Sequence, residues 1–337
     1  MEKATQQIME RREPHLRLAV TPDCNFKCIY CKPGGEGLCK NGELMTAEEI
    51  VKIVDLSSQA GFKYVKFTGG EPLLRGEIVD IVRETRKIRG IEEIGLVTNG
   101  SLLTENLAVQ LASAGLDRIA VSLDAVDPET FARISGKRCY DRVLDGIKAA
   151  KKSGIPFTLN AVLMRLNMDE VDRLIEVASK YGTKLKFIDF MKIDSNGLWE
   201  QEYVPPAEIC RKLERLAVES GLDTSFSGLG TPLSTYKMRN GLEVRVKDAT
   251  VGTNYHESCK SCINYPCQDA IIALRITHDG KLKKCVMRDD DLPDALTPLR
   301  AGNYGKVELM LREAYSIFAN AEYFPNAWKP KFGQEVK

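Results

Sequence analysis

The sequence predicts an α/β fold, a partial (β/α)6 TIM-like barrel followed by a small C-terminal unit, and three observations predict it. Over residues 16–190, short apolar β-rich runs alternate with stretches whose apolar residues recur at helical spacing, the pattern of parallel βα units. Six such units are present, too few to close an eight-stranded barrel. Cysteine, glycine and polar residues collect just after the apolar runs, where parallel α/β structures carry their functional groups.

The strands are expected over residues 16–21, 64–68, 94–98, 118–122, 157–163 and 185–190, with helices over 47–60, 78–87, 105–114, 141–153 and 168–181. Thr46 with Glu49 three residues on reads as a capping box, and Gly61, Gly115, Gly154 and Gly182 stand just past helix ends. Pro205-Pro206 opens a further helix expected over 207–220, and 221–232 reads as a small-residue linker. Residues 233–290 read as a β-rich unit with runs at 242–246, 271–277 and 282–285 and a turn at Asp279-Gly280. A last helix is expected over 306–318, before an aromatic tail with Trp328. The expected division is an N-terminal arm (1–13), a barrel (14–220), a second unit (221–299) and a C-terminal helix and tail (300–337).

The 337 residues, 43% of them hydrophobic, can bury a large core, and a net charge of +1 gives no reason to expect nucleic acid as a partner. No apolar run reaches membrane-spanning length and no basic-then-apolar leader opens the chain, so a soluble, cytoplasmic protein is expected. Ten cysteines in a chain of this size without a leader fit a reducing compartment better than a disulfide scaffold. Cys39, Cys139 and Cys210 stand alone, whereas the other seven form two groups. His15, His256 and His278 are scattered and read as loop or surface residues.

The first group is Cys24-x3-Cys28-x2-Cys31. Three thiolates so spaced can bind three irons of a 4Fe-4S cube and leave the fourth open to a ligand. Zinc is the alternative, although it favours four ligands from paired C-x2-C units. The second group, Cys259-x2-Cys262-x4-Cys267-x17-Cys285, fits either a 4Fe-4S cluster or a four-cysteine zinc knot.

The cysteine triad with Tyr30 between its last two members is followed by Thr68-Gly69-Gly70-Glu71-Pro72-Leu73-Leu74-Arg75, Thr98-Asn99-Gly100, Val121-Ser122-Leu123-Asp124 and Phe187-Ile188-Asp189-Phe190-Met191. In that order these motifs resemble the radical S-adenosylmethionine (SAM) superfamily, and within it the MoaA-like proteins, the GTP 3',8-cyclases of molybdenum-cofactor synthesis and their relatives. The resemblance implies that SAM chelates the open iron of a cluster on Cys24, Cys28 and Cys31 and yields a 5'-deoxyadenosyl radical on one-electron reduction. It implies a SAM site formed by Tyr30, Gly69, Gly70, Glu71, Thr98, Asn99, Ser122, Asn160 and Met191, with the Gly-Gly pair letting backbone approach the ligand.

It further implies a twitch-like auxiliary domain whose second 4Fe-4S cluster is held by Cys259, Cys262 and Cys285. An insertion at 264–272 adds Cys267 as a fourth candidate, which would close that cluster and leave it to pass electrons. Arg17, Arg75 and Arg275 match basic positions of the cyclases, with Lys66 beside them, whereas Tyr64 and Ala273 replace basic residues and the chain ends without their Gly-Gly. The implied substrate is therefore a small anionic molecule, a nucleotide or nucleoside-sugar, undergoing oxidation, decarboxylation or rearrangement. An external carrier such as flavodoxin or ferredoxin would supply the electron. GTP cyclisation and a zinc-stapled, non-catalytic binding module are the alternatives.

Overall fold

The computed structural model describes residues 14–31, 43–193, 197–223, 232–269, 271–290 and 292–330. Six strands, β1 (His15–Ala19), β2 (Tyr64–Thr68), β3 (Glu93–Thr98), β4 (Arg118–Ser122), β5 (Phe157–Val162) and β6 (Lys184–Ile188), pair in parallel and in chain order. Between them run helices α1 (Ala47–Gln59), α2 (Ile78–Arg86), α3 (Glu105–Ser113), α4 (Pro128–Ser135), α5 (Tyr140–Ser153) and α6 (Val171–Tyr181). The Thr46–Glu49 capping box forms, and Gly154 and Gly182 end α5 and α6 in the left-handed conformation that glycine adopts without strain. Leu16, Leu18, Val65, Phe67, Leu185 and Phe187, on one face of their strands, are buried in the apolar core that the helices share. The intervening residues face the inside of the curl.

An incomplete barrel leaves two edge strands with unpaired backbone groups. Residues after the sixth βα unit cover both edges. Beyond β6, a three-stranded antiparallel piece is added: β9 (Glu243–Lys247) pairs in parallel with β6, and β8 (Leu233–Met238) and β7 (Ala217–Asp223) follow. Beyond β1, β11 (Ala273–Ile276) pairs in parallel and β12 (Leu282–Lys283) closes the hairpin. The result is one eleven-stranded sheet, while β10 (Gly252–Tyr255) and β13 (Glu322–Pro325) form a separate ribbon.

Several expectations are corrected. The helix expected to run to residue 220 is α8 (Pro206–Leu216), preceded by the short α7 (Leu198–Glu202); the chain turns extended at Ala217 because β7 pairs with β8. Of the expected linker, residues 221–223 belong to β7, and 224–231 lie outside the described residues. α4 was not expected, although Asp127-Pro128 is a helix-start signature: the Asp127 carboxylate accepts the Thr130 N–H, 2.8 Å, and Pro128 holds the first position. The closing helices are α9 (Leu296–Arg300) and α10 (Tyr304–Ala319), and Trp328 in the tail is buried, edge-on to Tyr203 at 6.2 Å. His15 and His278 are also buried, His15 inside the curl on β1 and His278 in the turn before β12. His256 is in a loop, where its Nδ1 accepts the Ser258 N–H, 3.1 Å.

Candidate active site

The three N-terminal cysteines lie on the loop that leaves β1, with Cys24 and Cys31 exposed and Cys28 half-buried. Three supports fix this loop. From one side, α4 accepts its backbone, Lys27 N to Ser135 O and Ile29 N to Ile134 O, both 2.9 Å, while Phe26 packs edge-on against Phe131 at 6.0 Å. From below, the Gly69–Glu71 backbone rises into it: Gly70 N donates to Thr21 O, 2.9 Å, and Glu71 N to Asp23 O, 2.7 Å. A Cβ on Gly69 would lie 2.3 Å from Thr21 O, and one on Gly70 2.1 Å from Asp23 O. The glycines are thus required first by the cysteine loop, a reason different from the ligand approach expected of them. Third, the Tyr30 hydroxyl donates to Asp124 Oδ2, 2.7 Å.

Glu71 is 1% exposed, and its carboxylate accepts from Thr98 Oγ1 (2.7 Å), Asn99 N (2.7 Å) and Leu73 N (3.0 Å). Burial pushes its pKa up, and those three donors oppose the shift. Glu71 and Thr98 therefore bind the end of β2 to the end of β3. Asn99 reaches further, its amide donating to Asn25 Oδ1, 2.8 Å, beside Cys24, while Asn25 donates to Ser101 Oγ, 2.9 Å.

Ser122, which ends β4, and Asn160, two residues before the end of β5, are register partners. Asn160 Oδ1 is buried and accepts no hydrogen bond within the protein, an acceptor left for a ligand. Met191 follows β6 in the segment where Lys192 N donates to Gln268 Oε1, 2.9 Å. A donor set of three thiols on a loop fixed from three sides, together with the open acceptor of Asn160 on β5, fits a 4Fe-4S cluster with SAM. Cys24, Cys28 and Cys31 could hold the cluster, and Asn160, Ser122, Tyr30 and the Gly69-Gly70 backbone could hold SAM. Burial, then the neighbouring carboxylate of Asp124 and thiols of Cys31 and Cys24, push the Cys28 thiol up, so the free site resists ionisation that bound iron would drive.

Below this mouth, the inward face is cationic. Arg17 on β1 pairs with Lys66 on β2 and with Arg275 on β11, and Lys186 on β6 pairs with Arg245 on β9. Gly95 on β3 leaves room for Lys66, whose Cγ lies 3.2 Å from where a Cβ would be. Burial, then Lys66, Lys247, Arg17 and Arg245, hold Lys186 down to about 7. Burial, then Arg17, brings Lys66 to about 8. Lys186, Arg245 and Lys247 were not anticipated; the available signal was a charged residue at the centre of an otherwise apolar strand run.

Two expected substrate arginines are otherwise engaged. Arg75 donates to Met45 O (3.1 Å) and pairs with Glu77, tying the β2 exit to the start of α1. Arg275, 2% exposed, is on the inward face but pairs with buried Asp269, 3.0 Å, whose second oxygen accepts the Val286 N–H, 2.6 Å.

That last bond brings the Cys267 segment to the Cys285 segment. Cys259 and Cys262 are adjacent on one turn, Cys262 N to Cys259 O at 2.9 Å, and the Tyr255 hydroxyl holds the Cys267 carbonyl at 2.6 Å. Tyr255 lies near both Cys259 and Cys267, and Arg288 near both Cys262 and Cys285. These contacts join the chain segments that carry the four cysteines, and the four thiols could hold a second cluster.

Residues 18–178 match the radical SAM superfamily. The chain is 34% identical over 301 residues to a probable GTP 3',8-cyclase of Methanococcus aeolicus, covering 88% of this chain and 92% of the relative. It is 35% identical over 289 residues to a GTP 3',8-cyclase of Rhodopirellula baltica, covering 84% and 77%. A probable GTP 3',8-cyclase of Thermococcus kodakarensis is also 35% identical, over 293 residues, covering 86% and 89%. Among solved structures, Streptococcus suis SuiB bound to precursor peptide SuiA matches with a TM-score of 0.62 and 14% identity, over 88% of this chain and 66% of that one. Native anSMEcpe with bound AdoMet matches with a TM-score of 0.57 and 19% identity, over 82% and 76%. At those identities the two structures speak for the partial barrel fold alone. The thiol groups, the strand-end motifs and the curated relatives converge: the chain belongs to the radical SAM superfamily as a MoaA-like, SAM-dependent enzyme, whose cofactors are SAM, the 4Fe-4S cluster that binds it and a second 4Fe-4S cluster.

Proposed function

We propose that the enzyme acts on a phosphorylated nucleotide bound on the inward face between the two cysteine groups, with GTP the first candidate. The cationic layer carries this reading. Burying Lys66 and Lys186 beside Arg17 is costly in the free protein, and a polyanion supplies the charge that would offset it. Lys186 also provides a cation on β6 against the losses at Tyr64 and Ala273, whereas Arg245 pairs with Asp223 (3.3 Å) and Glu243, and Lys247 with Asp189 (3.4 Å). The curated relatives, named GTP 3',8-cyclases, favour GTP among nucleotides. Cys24, Cys28 and Cys31 would hold the first cluster, which with SAM supplies a 5'-deoxyadenosyl radical on one-electron reduction. Lys66, Lys186 and Arg17 hold phosphate, and Ser122 and Asn160 orient what binds at the strand ends. An external carrier such as flavodoxin or ferredoxin would supply the electron in a cytoplasmic setting.

Anaerobic incubation of the reconstituted protein with a strong reductant, SAM and GTP is expected to yield GTP-dependent 5'-deoxyadenosine. GTP without effect on that yield would sink the nucleotide reading. The Michaelis constant for the nucleotide is expected to stay flat up to about pH 6, to begin rising near pH 7 as Lys186 loses its proton in the free enzyme, and to steepen from about pH 8 as Lys66 follows, because each anionic contact must first recover a proton.

Cys267 favours a second reading of the outcome. As a fourth ligand it would saturate the second cluster, and the substrate would then be oxidised, decarboxylated or rearranged instead of cyclised. Cys267→Ser is expected to change the electron paramagnetic resonance (EPR) spectrum of the second cluster and to make it respond to added nucleotide. A spectrum identical to that of the wild type would leave Cys267 outside the cluster.

A further inference from the structure

We propose that Asp124 is a positioning residue for the SAM cluster: through Tyr30 it fixes the segment between Cys28 and Cys31, and its carboxylate holds the cluster at low potential. The inference rests on those cysteines binding the first cluster, as proposed above.

Asp124 ends the Val121-Ser122-Leu123-Asp124 run, just after β4, and is 6% exposed. Its Oδ2 takes the Tyr30 hydroxyl at 2.7 Å and its Oδ1 takes Val162 N at 2.8 Å. The backbone carbonyl of Asp124 accepts from Asn167 Nδ2, 2.8 Å; the same amide donates to Val162 O, 2.8 Å, and Asn167 Oδ1 accepts Met164 N, 2.9 Å. Asp124 is therefore locked to the end of β5, directly at Val162 N and indirectly through Asn167, and presents one oxygen to the cysteine loop. The α4 contacts and the Gly69–Glu71 contacts reach the loop at Asp23, Lys27 and Ile29, all before Tyr30. The side-chain tie to Asp124 supplements them between the second and third cysteines.

Geometry alone would be served by an amide, whose oxygen could accept from Val162 N while its NH2 donated to the Tyr30 hydroxyl oxygen. A carboxylate adds something an amide does not, a buried negative charge next to the Cys28 thiol. Negative charge near an iron-sulfur cluster disfavours adding an electron, because the reduced state carries one more negative charge in a medium of low dielectric. Low potential is what one-electron cleavage of SAM demands. Tyr30 and Asp124 thus divide two tasks, ring placement and charge.

Asp124→Asn and Tyr30→Phe in the full-length, reconstituted protein separate these tasks. The SAM-responsive EPR signal identifies the first cluster, and its midpoint potential is read by redox titration. Asp124→Asn is expected to retain iron and to move that potential upward. Tyr30→Phe keeps the carboxylate, so its potential should move less, while SAM affinity falls by about tenfold through the loss of a charge-assisted bond. A purely structural role would lower the melting temperature of both variants and leave potential and affinity at wild-type values, and that result overturns the proposal. Should Asp124→Asn fail to fold, unchanged SAM affinity in Tyr30→Phe alone overturns it. A wild-type protein with no SAM-responsive signal would instead remove the cluster assignment itself.

Discussion

Gly70→Ala is expected to lower SAM cleavage by at least about 100-fold while the barrel remains folded. The new Cβ would stand 2.1 Å from Asp23 O and 2.7 Å from Pro22 O, and both obstacles are backbone. Neither can swing aside as the end of a long side chain could. The loop must therefore lift, breaking the 2.7 Å bond from Glu71 N to Asp23 O and carrying Cys24 with it. A displacement of about 1 Å in a reacting constellation can cost about two orders of magnitude in rate, whereas overpacking of this kind costs about 1–3 kcal/mol in stability. Gly76→Ala is the control, since nothing lies within 4 Å of its added carbon. Iron content, 5'-deoxyadenosine yield and thermal melting should be compared for the two. Full activity in Gly70→Ala would mean that the cysteine loop does not rest on the glycine pair.

Lys186→Met is expected to make the protein more stable and less able to bind its substrate. Lys186 is held at about 7 in the folded chain against an ordinary value of 10.5. Below pH 7 both folded and unfolded chains carry the proton, and the folded state bears the whole cost of the buried charge. Between pH 7 and 10.5 the unfolded chain binds more protons, so the cost fades and stability rises with pH. Methionine removes the cost. The variant should gain about 1–3 kcal/mol at pH 6.5, the range seen when buried charge gives way to apolar side chains, and should lose that advantage near pH 10. Nucleotide affinity should fall about 10–100-fold, the worth of one charged contact. Denaturant melts at the two pH values and a binding titration check both parts; equal destabilisation at each pH would show that Lys186 is not a buried cation.

Membership in the radical SAM superfamily removes the alternative of a zinc-stapled, non-catalytic module, which spacing by itself left open. Much of the site was readable as motif without being readable as contact. Gly69 and Gly70 were assigned to ligand approach, yet what crowds them is Thr21 and Asp23 of their own chain. Glu71 and Thr98 are implied SAM contacts by resemblance, and in the structure they bond to one another while Glu71 also accepts from the Asn99 and Leu73 backbone. Arg75 looked like a phosphate donor and instead holds Met45, whereas Lys186 drew no notice in the run Lys184-Leu185-Lys186-Phe187-Ile188. Alternation says that Lys184 and Lys186 share a face of β6, but only the curl of the sheet half-buries the second and leaves the first exposed.

What the sequence alone determined was local: periods of apolar residues that make strands and helices, helix caps at Thr46 and Gly154, and cysteines close enough in the chain to share one cube. Those features depend on bond geometry and on neighbours a few residues away. The tertiary structure alone decided which distant groups meet, Tyr30 with Asp124, Cys267 with the Cys285 segment, and Lys186 with Lys66 and Arg17. Such pairs follow from sheet order, register and curvature, and a side chain's charge state follows from the pairs it joins.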